Sequence, residues 1–218
     1  MSILSANQKK ILKFLSTEKS ISEFFYLTGG TALAEFYLRH RLSEDLDFFS
    51  EREFDPQAIS TIFKKIQKRA RIKSITYEQS FNRNLFFLDI QNDSVKTEFT
   101  YFPFPRIEIG QKIGNLHIDS LVDIAVNKLF TIYQKPRLRD FIDLYLILHK
   151  EKTWNIKALI NKAKIKFDHH IVPLQLSSQF IKVETLKDYP IMIENIREKE
   201  WQSFFLNEAK ILSESELE

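Results

Sequence analysis

The sequence predicts an α+β fold, with a sheet-bearing N-terminal half followed by a helical C-terminal half. Three observations lead there. Between residues 73 and 102, three strand-like runs follow one another, separated by polar turn residues such as Asn82, Asn92 and Asp93. After Pro103 and Pro105 that alternation stops. Beyond it, residues 119–134, 138–149, 156–167 and about 193–212 carry apolar side chains at helical spacing. The expected division is an α/β core over residues 1–105 and a helical domain over residues 106–218.

The N-terminal elements follow in order. Leu4, Ile11, Leu12 and Leu15 share one side of an amphipathic helix over residues 5–17. Residues 24–28 form a short apolar run that ends at Gly29-Gly30, and residues 31–39 read as helix. Residues 45–49 alternate acidic and apolar side chains, the period of a strand. Asp55-Pro56 then opens a helix to about Ala70, with proline at its first position. Residues 73–79, 84–91 and 95–102 are the three strand-like runs. There is no internal repeat and no low-complexity linker.

Composition narrows the chemistry. The 218 residues are 44% apolar and 28% charged, ordinary for a soluble globular protein, and the 20 phenylalanines predict an aromatic interior. With no cysteine, disulfides, thiolate nucleophiles and zinc–thiolate sites are excluded. The first twenty residues lack the apolar core of a secretion signal, and no run approaches the roughly 18 apolar residues that span a bilayer. The expectation is a reduced, cytoplasmic protein with no membrane partner. Net charge is only +3, yet residues 64–73 carry six positive charges: Lys64, Lys65, Lys68, Arg69, Arg71 and Lys73. Such a cluster either neutralises phosphates or is the solvated face of a helix.

Two of the chain's four glycines are adjacent, at Gly29-Gly30, between an apolar run and a helix. A backbone without Cβ atoms can turn tightly there and approach a ligand, or simply turn. Asp45 and Asp47 are two apart in a strand, so both carboxylates leave one face of the sheet while Leu46 and Phe48 leave the other. Two such carboxylates either form an exposed acidic edge or share a cation, and hard oxygen ligands suit Mg²⁺. Glu98 lies in a later strand that can pair beside them. It is either a surface position or the third acid of a two-metal site for phosphoryl displacement.

The run Leu27-Thr28-Gly29-Gly30-Thr31-Ala32-Leu33, followed by Asp45-Leu46-Asp47-Phe48-Phe49 with fourteen residues between Gly30 and Asp45, closely resembles the core of the DNA polymerase β-like nucleotidyltransferases. Within that superfamily it resembles the AbiEii/AbiGii branch, toxins of type IV toxin–antitoxin and abortive-infection systems, with Arg41 and Ser43 at matching positions. Lys128 on one helix and Arg139-Asp140-x-x-Asp143 on the next resemble that branch's C-terminal pattern, so the likeness covers about residues 24–149. On its own helix Lys128 falls inside the apolar stripe beside Leu121 and Ile124, where it either snorkels across the core or faces a cleft. Arg139 and Asp143, four apart, can also pair along the helix.

The resemblance implies a polymerase β-like core with a mixed sheet. It implies transfer of a nucleoside monophosphate from a nucleoside triphosphate to an acceptor hydroxyl, with pyrophosphate released and Mg²⁺ or Mn²⁺ required. Asp45, Asp47 and Glu98 would hold metal; Gly29, Gly30, Thr31, Arg41, Ser43 and Lys128 would bind the nucleotide; Asp143 would orient Lys128 or the nucleotide, and Asp140 would hold Arg139. The implied acceptor is RNA, with the tRNA 3′ end foremost, and the implied protein partner is a cognate antitoxin. A protein hydroxyl as acceptor, or an inactive nucleotide- or RNA-binding module, are the competing expectations. The histidine pair His169-His170 is not expected to bind metal, because neighbouring residues diverge on a helix.

Overall fold

The computed structural model describes residues 2–91 and 93–214; the expected turn residue Asn92 lies outside them. The chain divides into two compact units, Met1–Ser120 and Leu121–Glu218. The division falls later than the prolines suggested. Residues 112–118 form two short strands that pair back into the first unit's sheet, keeping the segment after Pro105 with the core.

Unit 1 opens with α1 (Ala6–Thr17), started by a capping box in which Ser5 and Gln8 satisfy each other's backbone N–H groups. A short α2 (Lys19–Phe24) leads to β1 (Tyr26–Thr28), α3 (Gly29–Leu33) and a π-helical turn over Ala34–Leu38. Then come β2 (Asp45–Ser50), α4 (Pro56–Ala70), β3 (Ser74–Ser80), β4 (Arg83–Ile90), β5 (Asp93–Tyr101), β6 (Lys112–Ile113) and β7 (Leu116–Ile118). The seven strands form one mixed sheet in the order β3-β4-β5-β2-β1-β7-β6. β2 runs parallel to β5 and antiparallel to β1, placing the acidic strand between the strand that leads into the glycine turn and the Glu98 strand.

One face of that sheet is the aromatic core the composition predicts. Phe48 stacks on Phe99 at 4.8 Å, and Phe63 of α4 meets Phe86 at 5.2 Å and Phe99 at 6.1 Å. Because side chains alternate along a strand, Asp45, Asp47 and Glu98 leave the opposite face. The basic cluster of α4 therefore sits behind the sheet from the carboxylates. Part of it is already engaged: Lys65 pairs with Glu18 at 2.8 Å and Arg69 lies over the Phe14 ring.

Unit 2 is helical: α5 (Leu121–Gln134), α6 (Leu138–Lys150), α7 (Ile156–Phe167), α8 (Pro173–Ile181), a 3₁₀ turn (Lys182–Glu184) and α9 (Glu198–Glu214). Its centre is a cluster of Phe141, Phe180 and Phe205, with centroids 4.9 to 6.2 Å apart. Among the described residues, no helix is long and apolar enough to cross a membrane.

Candidate active site

The glycine turn and the acidic strand meet. Gly29 has φ +74°, a left-handed conformation that side chains resist, and a Cβ added there would stand 2.3 Å from Asp47 Oδ2. A Cβ on Gly30 would stand 2.3 Å from Arg41 Nη2 and 3.2 Å from Ser43 Oγ. The two glycines are thus the space into which Arg41, Ser43 and Asp47 fit. Thr31 completes the brace: its hydroxyl donates to the backbone carbonyl of Asp45. Thr28, at the end of β1, donates to Asp119 Oδ2 at 2.6 Å and fixes the strand from which the turn departs.

The carboxylates are ordered by register. Asp45 lies opposite Lys96 and Asp47 opposite Glu98 across the parallel β2–β5 pair. Lys96 Nζ binds Asp45 Oδ2 at 2.7 Å, so a cation of the chain itself relieves part of the repulsion between the two aspartates. Glu98 lies on the strand that pairs beside the acidic one, as the sequence reading expected, but its carboxylate is committed elsewhere. Arg83 Nε donates to Oε1 at 2.7 Å, Arg83 Nη2 donates to Oε2, and Thr100 Oγ1 donates to Oε1 at 2.9 Å. Burial opposes ionisation of Glu98, yet those hydrogen bonds and the charges of Arg83 and Lys96 outweigh it, holding the carboxyl below its ordinary range. Among the described residues no group of three His, Cys, Asp or Glu side chains is arranged to hold a metal. Glu98 is thus held by Arg83 and Thr100, and Asp45 by Lys96, while Asp47 is set against the Gly29 turn.

Asp45 and Asp47 fit a hard divalent ion. Both are oxygen donors leaving one face of the same strand, and the absent Cβ of Gly29 lets the Asp47 carboxylate lie against the turn.

In unit 2 the remaining expected residues also come together. Lys128, 9% exposed on its side chain, reaches Asp140 Oδ1 at 2.6 Å and Asp143 Oδ2 at 2.7 Å, and both aspartates are fully buried. The lysine in the apolar stripe is therefore matched by two carboxylates. Asp140 does not hold Arg139, which is exposed; its other partner is Arg137, at 2.7 Å and one turn earlier. Burial would raise the Asp140 pKa, but the charges and hydrogen bonds of Lys128 and Arg137 lower it overall. A second buried pair, Lys166–Asp123 at 2.6 Å, was missed, although Leu159, Ala163 and Lys166 stand at helical spacing on one face. Arg83, Lys96 and Thr100 were also missed. His169 packs its ring against Phe130 and Tyr133, as a packing residue would.

The family model described as nucleotidyl transferase AbiEii toxin, type IV TA system, matches residues 13–210. The chain belongs to that family. An uncharacterized Aquifex aeolicus protein, aq_aa25, is 35% identical to this AbiEii family member over 147 residues, 66% of each chain. The chain thus spans just under two thirds of that relative's length, and 4% of a Rickettsia sibirica protein that it matches at 36% over 77 residues. The crystal structure of JHP933 from Helicobacter pylori superposes with a TM-score of 0.60 at 20% identity, covering 97% of this chain and 94% of that one. At that identity the likeness is one of fold, and it extends over both units of the AbiEii chain, including residues after 150, which the motif resemblance does not reach.

Proposed function

We propose that this AbiEii family member transfers a nucleoside monophosphate from a nucleoside triphosphate to an acceptor hydroxyl, with Asp45 and Asp47 holding a Mg²⁺ or Mn²⁺ ion. The observation that carries it is Asp47 Oδ2 set against the left-handed Gly29, with Arg41 and Ser43 against Gly30. This clusters carboxylate, hydroxyl and guanidinium groups around one turn. In the transfer, the acceptor oxygen forms a bond to the α-phosphorus, the α–β phosphoanhydride bond breaks, pyrophosphate leaves, and the hydroxyl proton passes to solvent. When bound, the divalent ion would neutralise phosphate charge and orient the reacting oxygens. Ser43 and the backbone at Gly30 and Thr31 receive phosphate oxygens. Arg41, buried and hydrogen-bonded to the Leu42 carbonyl at 2.9 Å, holds the turn in shape. Lys128 and Asp143 are assigned to the same reaction on their resemblance to the family pattern; in unit 2 Asp143 holds the lysine in one place.

The proposed acceptor is RNA, foremost the tRNA 3′ end, and the proposed partner is a cognate antitoxin, as the type IV toxin family suggests. The α4 basic cluster is not the proposed RNA track, because it lies behind the sheet. The test offers α-³²P-labelled triphosphates and Mg²⁺ to a cell lysate with the purified protein, then digests with RNase or protease. Label that RNase removes and protease leaves is expected, with pyrophosphate formed and both absent in Asp47→Ala. Protease-sensitive label would move the acceptor to a protein, and undiminished transfer by a folded Asp47→Ala would remove the metal assignment.

A further inference from the structure

Glu98 and Arg83 form the best-defined charged contact on the carboxylate face, and the transfer proposed above uses neither. Arg83 is the first residue of β4, directly after the turn that carries Phe81 at φ 55°. Its guanidinium grips Glu98 side-on, through Nε at 2.7 Å and through Nη2, and Thr100, two residues further along β5, donates to Glu98 at 2.9 Å. The Glu98 side chain is 8% exposed and that of Arg83 49%. The carboxylate is the inner, anchored member and the guanidinium the outer one.

A guanidinium carries five N–H donors, and this fork uses two of them. The rest stand on the sheet face from which Asp45 and Asp47 project, close enough that both aspartates, besides Glu98, favour the charged form of Arg83. A second divalent ion at Glu98 would have to displace the two-pronged guanidinium from a carboxylate that is itself buried, leaving Arg83 without its partner. A phosphate needs no such disruption. It meets a planar, pre-oriented cation whose remaining donors match phosphate oxygens in geometry.

We infer that Arg83 is a substrate-binding residue which contacts a phosphate oxygen of the nucleoside triphosphate, taking the place of a second metal ion, and that Glu98 and Thr100 are its positioning residues rather than ligands or bases. This rests on the metal-dependent transfer proposed above. It divides the work of one sheet face: the β2 aspartates hold the divalent ion, and the β4–β5 pair presents a fixed organic cation to the polyphosphate.

The experiment uses probes that need no knowledge of the base: Mn²⁺ alone, followed by electron paramagnetic resonance, and Mn²⁺–tripolyphosphate, followed by calorimetry. Full-length wild type, Arg83→Gln, Arg83→Lys, Glu98→Gln and Asp47→Asn are compared, with circular dichroism to confirm folding. Wild type should bind one Mn²⁺. Arg83→Gln should bind it as tightly but bind Mn²⁺–tripolyphosphate about tenfold more weakly, the loss expected for one charge-assisted hydrogen bond. Arg83→Lys, which keeps the charge without the fork, should fall between them and serves if the glutamine variant fails to fold. Glu98→Gln should weaken tripolyphosphate and spare Mn²⁺, a split that a merely structural role would not produce. Unchanged tripolyphosphate affinity in both Arg83 variants, or a second Mn²⁺ in wild type that Glu98→Gln removes, overturns the inference while leaving the Asp45–Asp47 site standing. Mn²⁺ binding indifferent to Asp47→Asn overturns the transfer reading itself, and this inference with it.

Discussion

Replacing Gly29 by alanine tests the glycine turn against the carboxylate it faces. Two costs add. At φ +74° a Cβ brings left-handed strain of about 1–2 kcal/mol. The same Cβ would lie 2.3 Å from Asp47 Oδ2, 3.1 Å from its Cγ and 3.3 Å from its Cβ, so the short side chain cannot yield at its tip alone. Forcing it off its rotamer adds about 1 kcal/mol. The sum is about 2–3 kcal/mol, and the second part should vanish in an Asp47→Ala background, where the atoms at 2.3 and 3.1 Å are gone. A double-mutant cycle should therefore show coupling of about 1 kcal/mol between positions 29 and 47. Both tryptophans, Trp154 and Trp201, belong to unit 2, so their fluorescence does not report on this turn. Amide hydrogen exchange in α3 and β2 does. Gly29→Ala protection within about 0.5 kcal/mol of wild type, or an equal cost in both backgrounds, would refute the packing described.

Three more expectations follow from the ion pairs and the basic helix. Lys128→Met leaves Asp140 and Asp143 buried without their shared cation and should destabilise unit 2 by about 3–5 kcal/mol, read by tryptophan fluorescence in urea. Asp140 has a folded pKa below its ordinary value, so its stabilisation is complete above about pH 4 and is lost as pH falls through the folded value. Acid unfolding of unit 2 should thus begin below about pH 4, and Asp140→Asn should remove that limb while lowering stability at neutral pH. Charge reversal at the exposed Lys64 and Lys68, behind the sheet, should leave Mn²⁺–tripolyphosphate affinity within about twofold of wild type by calorimetry, because only screened, long-range effects reach the carboxylate face.

Much of the fold could be read from the sequence because its elements are long and periodic. The expected helix over residues 156–167 and the α4 start at Asp55-Pro56 match the structure. The acidic strand shows its alternation in burial, Leu46 and Phe48 fully buried while Asp45 and Asp47 are half-buried. The elements missed are short. β6 and β7 have two and three residues, fewer than a period needs to show itself, and α2 has six. Pro173, at the first position of α8, is the sequence signal for that helix. At the site, the motif residues Gly29, Gly30, Arg41, Ser43 and Asp47 do assemble, because a turn and a strand place them locally. The grip of Arg83 on Glu98 is not legible in the sequence for a non-local reason: the two lie on different strands. The β4–β5 register sets Arg83 opposite Thr100, diagonal to Glu98, and strand runs alone do not fix a register. The error at Asp140 was of the opposite kind. Arg137 stands at the favourable three-residue spacing, whereas the adjacent Arg139 points away.

The most direct measurement is Mn²⁺ anomalous diffraction from crystals grown with a nucleoside triphosphate whose α–β bridge cannot be cleaved. An anomalous peak about 2.1 Å from carboxylate oxygens of both Asp45 and Asp47, with the triphosphate beside the Gly29-Gly30 turn, is the expected result. Manganese and triphosphate bound elsewhere, with Asp45 still held by Lys96 and nothing at Asp47, would contradict it.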